Sequence, residues 1–154
     1  MGDNSRWDGL GLEAAQRLFA ASPQGQLLGI ELVDFGEDWV LGRIPYREEL
    51  VGNPETGYVH GGVVTTLIDH CSGAAVMLRV GRQRRVVTLD LRVDYLRPAV
   101  PGRALHARAE CYRAAREVAF VRCTAFEDRV DEPFAASMSS FMHLAEENGP
   151  RGVF

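Results

Sequence analysis

The residues best suited to chemistry lie at the start of one apolar stretch and inside it. The stretch from Val63 to Leu78 is mostly apolar with helical spacing; His60, Gly61 and Gly62 precede it, and Asp69 lies within it. A carboxylate inside such a helix needs a hydrogen-bonding partner or a chemical task. The first N–H groups of a helix lack intrahelical partners and lie at the positive end of its dipole, and glycine lets an anionic oxygen approach them. The stretch therefore predicts a site for a negatively charged oxygen.

The composition is that of one globular domain. The chain has 154 residues, of which 46% are hydrophobic and 25% charged, enough for a core without disulfides or metals. The formal net charge of -4 argues against nucleic acid as a partner. Three widely spaced cysteines form no CxxC pair, the first residues do not resemble a signal peptide, and no run of about 18 apolar residues occurs. We therefore expect a cytoplasmic protein with reduced thiols and no membrane span.

Hydrophobic periodicity predicts the elements that position these residues. The pattern indicates a short helix, a two-stranded hairpin, a loop, the apolar helix and four more strands. The second of these four, at 103–115, could pass for a helix on propensity alone. Ser22 and Pro23 end the first helix, and Gly81 ends the long one. In chain order the predicted elements span 12–21, 26–36, 37–46, 47–59, 63–78, 84–99, 103–115, 116–128 and 132–147.

The spacing of apolar residues also predicts how these elements pack. On the long helix, one stripe recurs at steps of three and four residues: Val64, Leu67, Ile68, Cys71, Ala75 and Leu78. On the strand 84–99, alternation places five apolar residues on one face: Val87, Leu89, Leu91, Val93 and Tyr95. One helix can be buried if a sheet wraps around it, so we predict an α+β fold with an antiparallel sheet around one long central helix. A helical segment at 1–24 would precede the domain at 25–145, and 146–154 would form a loose tail.

Two segments carry a resemblance to a known family. The segments VHGGVVTTLIDHCSGAAV (59–76) and VVTLDLRVDYLRPA (86–99), together with the element order over about residues 25–145, resemble the hotdog-fold acyl-CoA thioesterases, and more narrowly their PaaI-like branch. The resemblance implies a sheet wrapped around the central helix, two subunits that share one continuous sheet, and active sites at the interface of a homodimer or dimer of dimers. It also implies hydrolysis of an acyl-CoA thioester to a free acid and CoA.

The resemblance assigns roles to the glycines and the aspartate. The Gly61 N–H would bind the thioester oxygen, with Gly62 assisting, and Asp69 would act as nucleophile or as general base for water. Gly61 and Asp69 are eight residues apart, about 12 Å along a helix, so one carbonyl can meet both only if they come from different subunits. The alternatives are glycines that only shape the helix start and an aspartate bonded to a threonine hydroxyl or an arginine.

Three further residues take family positions less directly. His60 would shape the helix start or contact the thioester rather than carry protons. The family often has an asparagine six positions before the histidine; here Pro54 occupies that position and Asn53 precedes it. Asn53 could still reach the site through a longer loop, or it could be a turn residue. Thr88 stands where relatives place a hydroxyl near the carboxylate, but alternation puts it opposite Leu89, so it would reach Asp69 only through strand twist or across the interface.

The resemblance also implies contacts to the CoA phosphates. Arginine binds phosphate through its planar fork, and the candidates near the end of the helix and of the following strand are Arg82, Arg84, Arg85 and Arg97. His60, Asp69, His70 and Cys71 match no ordinary metal spacing, so we expect neither metal nor cofactor. Two alternative functions stay open: a non-catalytic acyl-CoA binder or sensor, and a hotdog enoyl-thioester hydratase.

Overall fold

The structure, a computed structural model, describes residues 11–81 and 84–145. Residues 1–10 and the predicted tail lie outside this range, as does Arg82. The helices are α1 (Leu12–Phe19), α2 (Pro23–Leu28) and α3 (Gly61–Val80), and Glu48–Leu50 form a 3₁₀ turn. The strands are β1 (Glu31–Phe35), β2 (Trp39–Ile44), β3 (Val51–Asn53), β4 (Tyr58–Val59), β5 (Arg84–Tyr95), β6 (Leu105–Ala114), β7 (Val118–Phe126) and β8 (Ala135–Ala145).

One antiparallel sheet packs against α3. Its six strands follow the order β1-β2-β6-β7-β8-β5, and β1 and β2 form the predicted hairpin. The inner faces of β6 and β7 are built from small buried residues, including Ala107, Ala109, Ala119 and Cys123, which let the helix approach the sheet closely. On β2 even a methyl group is too large, because a Cβ on Gly42 would clash with the Cys71 sulfur. The predicted fold class, a sheet around one long central helix, is confirmed.

Helix α3 is the centre of the core. It begins at Gly61, two residues before the predicted apolar stretch, and His60 is its N-cap. All six residues of the predicted stripe are buried. By length and composition α3 could cross a membrane, although the sequence reading found no such run. In the described chain, however, α3 is the core helix, covered by the sheet.

Two predicted boundaries are wrong. The strand expected from Gln26 begins only at Glu31, because Ser22 and Pro23 start a second helix as well as ending the first. The Ser22 side chain accepts a hydrogen bond from the Gly25 N–H, and proline at the first helical position has a suitable φ. The helix then ends at Gly29 with φ 69°. The predicted loop 47–59 also holds the short hairpin of β3 and β4.

Strand β5 departs from strict alternation. Its pairing with β8 shifts between Thr88 and Asp90, so Leu89 is an extra, bulged residue. A bulge reverses which face the following residues occupy. Val86 before it and Leu91 after it both pack against the core, whereas Leu89 is exposed. The predicted five-residue apolar face is therefore wrong.

Candidate active site

The start of α3 is built around the His60 side chain. Its Nδ1 accepts a hydrogen bond from the Gly62 N–H at 2.9 Å, which satisfies one of the free donors at the helix start. The backbone of His60 is also held, because its N–H donates to the Leu50 carbonyl and its carbonyl accepts from the Val63 N–H, both at 2.9 Å. A Cβ on Gly62 would lie 2.9 Å from Nδ1. Glycine at this position therefore makes room for the histidine cap.

The Gly61 N–H is the donor left available at this helix start. Within residues 11–81 and 84–145 it makes no hydrogen bond, whereas the Gly62 N–H is bonded to His60. The peptide that carries the Gly61 N–H has its carbonyl on His60, and that carbonyl accepts from Val63. Such a bond polarises the peptide and strengthens its N–H as a donor. An anionic oxygen would meet this N–H at the positive end of the α3 dipole.

Asp69 lies two turns further along α3, where its carboxylate is oriented by β5. The Thr88 hydroxyl donates to Asp69 Oδ1 at 2.8 Å. This contact occurs within one chain, because the bulge at Leu89 lets Thr88 face α3 together with the apolar residues beyond it. Asp69 Oδ2 has no hydrogen bond from the described part of the chain. One carboxylate oxygen is thus fixed, and the other is available to a substrate or water.

Tyr95 and Thr65 join this site, and sequence reasoning missed both. The Tyr95 hydroxyl donates to the Gly61 carbonyl at 2.7 Å and lies 2.8 Å from the Thr65 hydroxyl. Strict alternation placed Tyr95 on the face opposite Thr88, whereas the bulge places both against α3. The Thr65 hydroxyl also donates to the Gly61 carbonyl, at 3.2 Å. Its position four residues after Gly61 was a usable signal, because threonine in a helix often bonds back to that carbonyl.

Gly52 is a second residue that the sequence analysis passed over. A Cβ at this position would lie 3.0 Å from His60 Cα and 3.1 Å from His60 Cβ. Strand β3 can therefore approach the helix cap only because Gly52 has no side chain. The hairpin of β3 and β4 leads directly into the cap and helps to hold it.

Asn53 occupies a turn. Its Oδ1 accepts from the Glu55 N–H at 3.0 Å, and its carbonyl accepts from the Gly57 N–H at 2.9 Å. This is the turn geometry expected of an asparagine before proline. No hydrogen bond joins Asn53 to His60 or Asp69 within the described residues. In this structure Asn53 is therefore a turn residue, the alternative that the sequence left open.

The arginines predicted to hold CoA have different surroundings. Arg97 forms two hydrogen bonds to Glu127, at 2.8 and 2.7 Å, and a third to the Glu132 carbonyl. Arg84 lies 3.0 Å from His143 Nδ1, and Arg85 is exposed. Arg97 is therefore engaged in holding the segment after β5, whereas Arg84 contacts one histidine and Arg85 is exposed.

The acid in the Arg97 pair is buried. The Glu127 side chain is 4% exposed, while that of Arg97 is 38% exposed. Burial raises the pKa of Glu127, but hydrogen bonds from Arg97 and the Val100 N–H outweigh this effect, so the pKa lies below its ordinary value. Glu127 is therefore a charged anchor beneath the segment that follows Tyr95.

His70, Cys71 and Cys123 are structural. His70 Nε2 lies 2.7 Å from the Phe19 carbonyl, and its ring meets the Phe19 ring edge-on, so it ties α3 to α1. Burial raises the pKa of Cys71 well above its ordinary value and that of Cys123 to about 12, which keeps both thiols protonated and unreactive. In the part of the chain that the structure describes, no three His, Cys, Asp or Glu side chains are grouped as metal ligands.

Comparison with known proteins places the site within a family. A model of the thioesterase superfamily matches residues 56–133, slightly more than half of the chain. The matched range contains the helix cap, Gly61, Asp69, Thr88 and Tyr95. The match therefore covers these site residues, while Gly52 and Asn53 lie before it.

Two relatives of known sequence align over this region. A Halobacterium salinarum protein is 43% identical over 75 residues, which are 47% of this chain and 50% of that protein. The aligned part of the chain thus spans half the length of this relative. The medium/long-chain acyl-CoA thioesterase YigI of Escherichia coli is 32% identical over 116 residues, covering 65% of this chain and 72% of YigI.

Solved structures show the same architecture. A Pseudomonas aeruginosa protein of known crystal structure is 38% identical with a TM-score of 0.77, covering 86% of this chain and 98% of its own. The Escherichia coli PaaI protein from the phenylacetic acid degradation operon has a TM-score of 0.75 at 16% identity, covering 86% of this chain and 92% of PaaI, a likeness of fold. The resemblance inferred from the two sequence segments is therefore confirmed. The chain belongs to the thioesterase superfamily and has the hotdog fold.

Proposed function

We propose that the protein hydrolyses an acyl-CoA thioester to a free acid and CoA. The observation that carries this proposal is the pairing of an available Gly61 N–H at a helix start with an Asp69 carboxylate that Thr88 orients. An N–H at a helix start stabilises the negative charge that develops on a carbonyl oxygen during acyl transfer. A carboxylate supplies the nucleophile or the base that such a reaction needs.

The reaction can follow either of two routes through Asp69. As a general base, Asp69 takes a proton from water while the water oxygen bonds to the thioester carbon, and the carbonyl oxygen becomes an oxyanion at the Gly61 N–H. The C–S bond then breaks, and the CoA sulfur leaves with the proton from Asp69. As a nucleophile, the Asp69 carboxylate bonds to the thioester carbon, the C–S bond breaks, and CoA leaves as a thiolate. Water then hydrolyses the acyl anhydride, which frees the acid, restores the Asp69 carboxylate and supplies the proton that the thiolate takes up.

The proposed site requires two subunits. Gly61 and Asp69 are eight residues apart on one straight element, about 12 Å along its axis, which is too far for one carbonyl to contact both. Strand β5 is at an edge of the sheet, and exposed edge strands readily pair with another chain. We propose that two copies pair along β5, so that Gly61 faces Asp69 of the partner subunit.

Exposed apolar residues on and beside β5 support this pairing. Val87 is 54% exposed, Leu89 51% and Leu96 57%. Several exposed apolar side chains along one edge strand are better explained by burial against a second copy than by exposure to water. A dimer of such dimers is a further assembly that the family resemblance suggests.

The substrate class follows from the relatives and the arginines. YigI is named as a medium/long-chain acyl-CoA thioesterase, and we propose an acyl-CoA substrate for this chain as well. The CoA phosphates would bind near the end of α3, with Arg84 and Arg85 as the better placed of the described arginines.

A thiol-release assay over a panel of acyl- and aroyl-CoA esters tests the proposal. Asp69→Asn keeps the shape of the side chain and should lower kcat at least about 100-fold, as expected for loss of a nucleophile or base. Thiol release that is unchanged in this variant would overturn the assignment of Asp69. Tight binding of CoA esters without any thiol release would instead favour the non-catalytic binder.

A pair of substitutions at Gly61 tests the oxyanion donor. Proline is tolerated at the first position of a helix and removes the N–H, and His60 already has the extended backbone (φ -61°, ψ 133°) favoured before proline. Gly61→Ala is the matched control, because it adds the same Cβ, 3.3 Å from the Tyr95 hydroxyl, but keeps the N–H. Gly61→Pro should have a kcat about 100-fold below that of Gly61→Ala, and equal values would refute the donor role.

A further inference from the structure

The Tyr95 hydroxyl is placed where it can control the geometry of the helix start. It donates to the Gly61 carbonyl at 2.7 Å, the usual length of a well-formed bond between a hydroxyl and an oxygen acceptor. The Thr65 hydroxyl lies 2.8 Å from it and also reaches that carbonyl. Tyr95 is the last residue of β5, so the bond joins the edge strand to the first residue of α3.

The peptide between Gly61 and Gly62 is held at both ends. Its N–H donates to His60 Nδ1, and its carbonyl accepts from Tyr95. In a trans peptide the N–H and the C=O point in opposite directions, so these two hydrogen bonds together fix the orientation of the peptide plane. Glycine on both sides of this peptide leaves the backbone free to rotate otherwise. The next peptide towards the N-terminus, which shares the Gly61 Cα, carries the N–H that the proposed mechanism uses.

We propose that Tyr95 is a positioning residue that aims the Gly61 N–H by clamping the carbonyl of the same residue. The proposal rests on the proposed function for its catalytic consequence. The clamp requires the bulge at Leu89, because without it Tyr95 would point away from α3. Strand β5 thus supports both parts of the site, with Thr88 at Asp69 and Tyr95 at Gly61.

Removal of one hydroxyl tests the clamp. Tyr95→Phe keeps the ring, so KM and Tm should change little. The kcat for thiol release should fall about tenfold, less than the 100- to 1,000-fold expected when an oxyanion donor itself is lost. The matched control is Tyr112→Phe on β6, where the tyrosine is exposed and its ring lies beside Arg122. An unchanged kcat in Tyr95→Phe, or an equal fall in the control, would overturn the proposal.

Two substitutions of Thr65, one without the hydroxyl and one with it, test its part in the clamp. Thr65→Val removes the second hydroxyl that reaches the Gly61 carbonyl, and should lower kcat by about threefold, less than the loss of a full hydrogen bond would give. Thr65→Ser keeps that hydroxyl and should restore the kcat of the wild type. A serine variant as impaired as the valine variant would show that the hydroxyl alone does not sustain the clamp, and would count against this role of Thr65.

The exchange rate of the Gly62 amide hydrogen tests the Tyr95 clamp without any substrate. With the carbonyl released, the Gly61–Gly62 peptide should open more often, and the Gly62 amide should exchange at least about fivefold faster in Tyr95→Phe than in the wild type. Wild-type protein that hydrolyses no thioester would refute the proposed function, and the exchange rates would then decide the clamp alone. Equal exchange rates would refute the clamp even if thioesterase activity were present.

Discussion

Substitutions of His60 test whether its side chain acts as a helix cap or as a proton carrier. In this structure its Nδ1 caps α3 through the Gly62 N–H, so the side chain is needed as a hydrogen-bond acceptor and not as a proton carrier. Asparagine is a strongly preferred N-cap residue, whereas alanine cannot cap. His60→Asn and His60→Ala therefore separate the two roles, because neither variant can carry protons and only one can cap the helix.

The size of the effect follows from the contact that is lost. Loss of a side-chain N-cap costs about 1 kcal/mol of unfolding free energy, and in a chain of this length that lowers Tm by about 3 °C. We expect this fall in His60→Ala, with kcat reduced about tenfold because the frayed helix start misplaces the Gly61 N–H. In His60→Asn, Tm should stay within about 1 °C of the wild type and kcat within about threefold.

Calorimetry and the thiol-release assay at saturating substrate measure the two quantities in the same preparations. A stable His60→Asn variant as inactive as Asp69→Asn would refute the reasoning, since it would mean that the imidazole itself takes part in proton transfer. His60→Ala with the Tm of the wild type would refute it in another way, because the cap would then contribute nothing.

Three other predictions follow from single contacts. Thr88→Val removes the hydrogen bond to Asp69 Oδ1 and should lower kcat about tenfold, equivalent to about 1.4 kcal/mol of activation free energy. Thr88→Ser keeps the hydroxyl and should retain activity. A valine variant with full activity would count against the role of Thr88 in orienting Asp69. Gly73→Ala places a Cβ at an ordinary contact distance, 3.7 Å from Phe141, and should raise the free energy of unfolding, measured in urea, by about 1 kcal/mol. Gly62→Ala should not raise it, because the added Cβ displaces the His60 cap. Glu127→Gln should lower stability at neutral pH by about 2 kcal/mol. Because the folded-state pKa of Glu127 is lowered, this stabilisation is present above the ordinary glutamate pKa of about 4.3 and disappears as pH falls through the lowered value; a difference in Tm that stays constant down to acid pH would contradict it.

The central helix was predictable because its signals are local. The stripe from Val64 to Leu78 repeats at helical spacing, and the HGG motif marks the start of α3 together with an acid two turns later. Each of these features depends on residues close together in the chain. The same property explains why the sheet could be predicted from alternation over most of its length.

The errors arose where distant contacts or ambiguous local signals decide the outcome. The bulge at Leu89 has no glycine or proline to mark it, and it becomes visible only in the register with β8. Without it, Tyr95 could not be assigned to the site. The Ser-Pro pair at 22–23 both ends one helix and starts another, and only the first signal was used.

Arg97 shows a similar limit for charged residues. Its partner Glu127 is 30 residues away in the chain, so the sequence offered no sign that the arginine was already paired. An unpaired arginine and an anchored one look alike in a sequence. The phosphate-binding assignment could therefore not be ranked before the contacts were known.

Mixed dimers of two inactive chains test the central claim, that one site is shared between Gly61 of one subunit and Asp69 of the partner subunit. Gly61→Pro and Asp69→Asn chains are each expected to have almost no thiol-release activity. Unfolded together and refolded in equal amounts, they should form mixed dimers with one intact site each, restoring about one quarter of wild-type activity. Activity that stays at the level of the separately refolded variants, while wild-type protein recovers fully under the same treatment, would contradict the shared site.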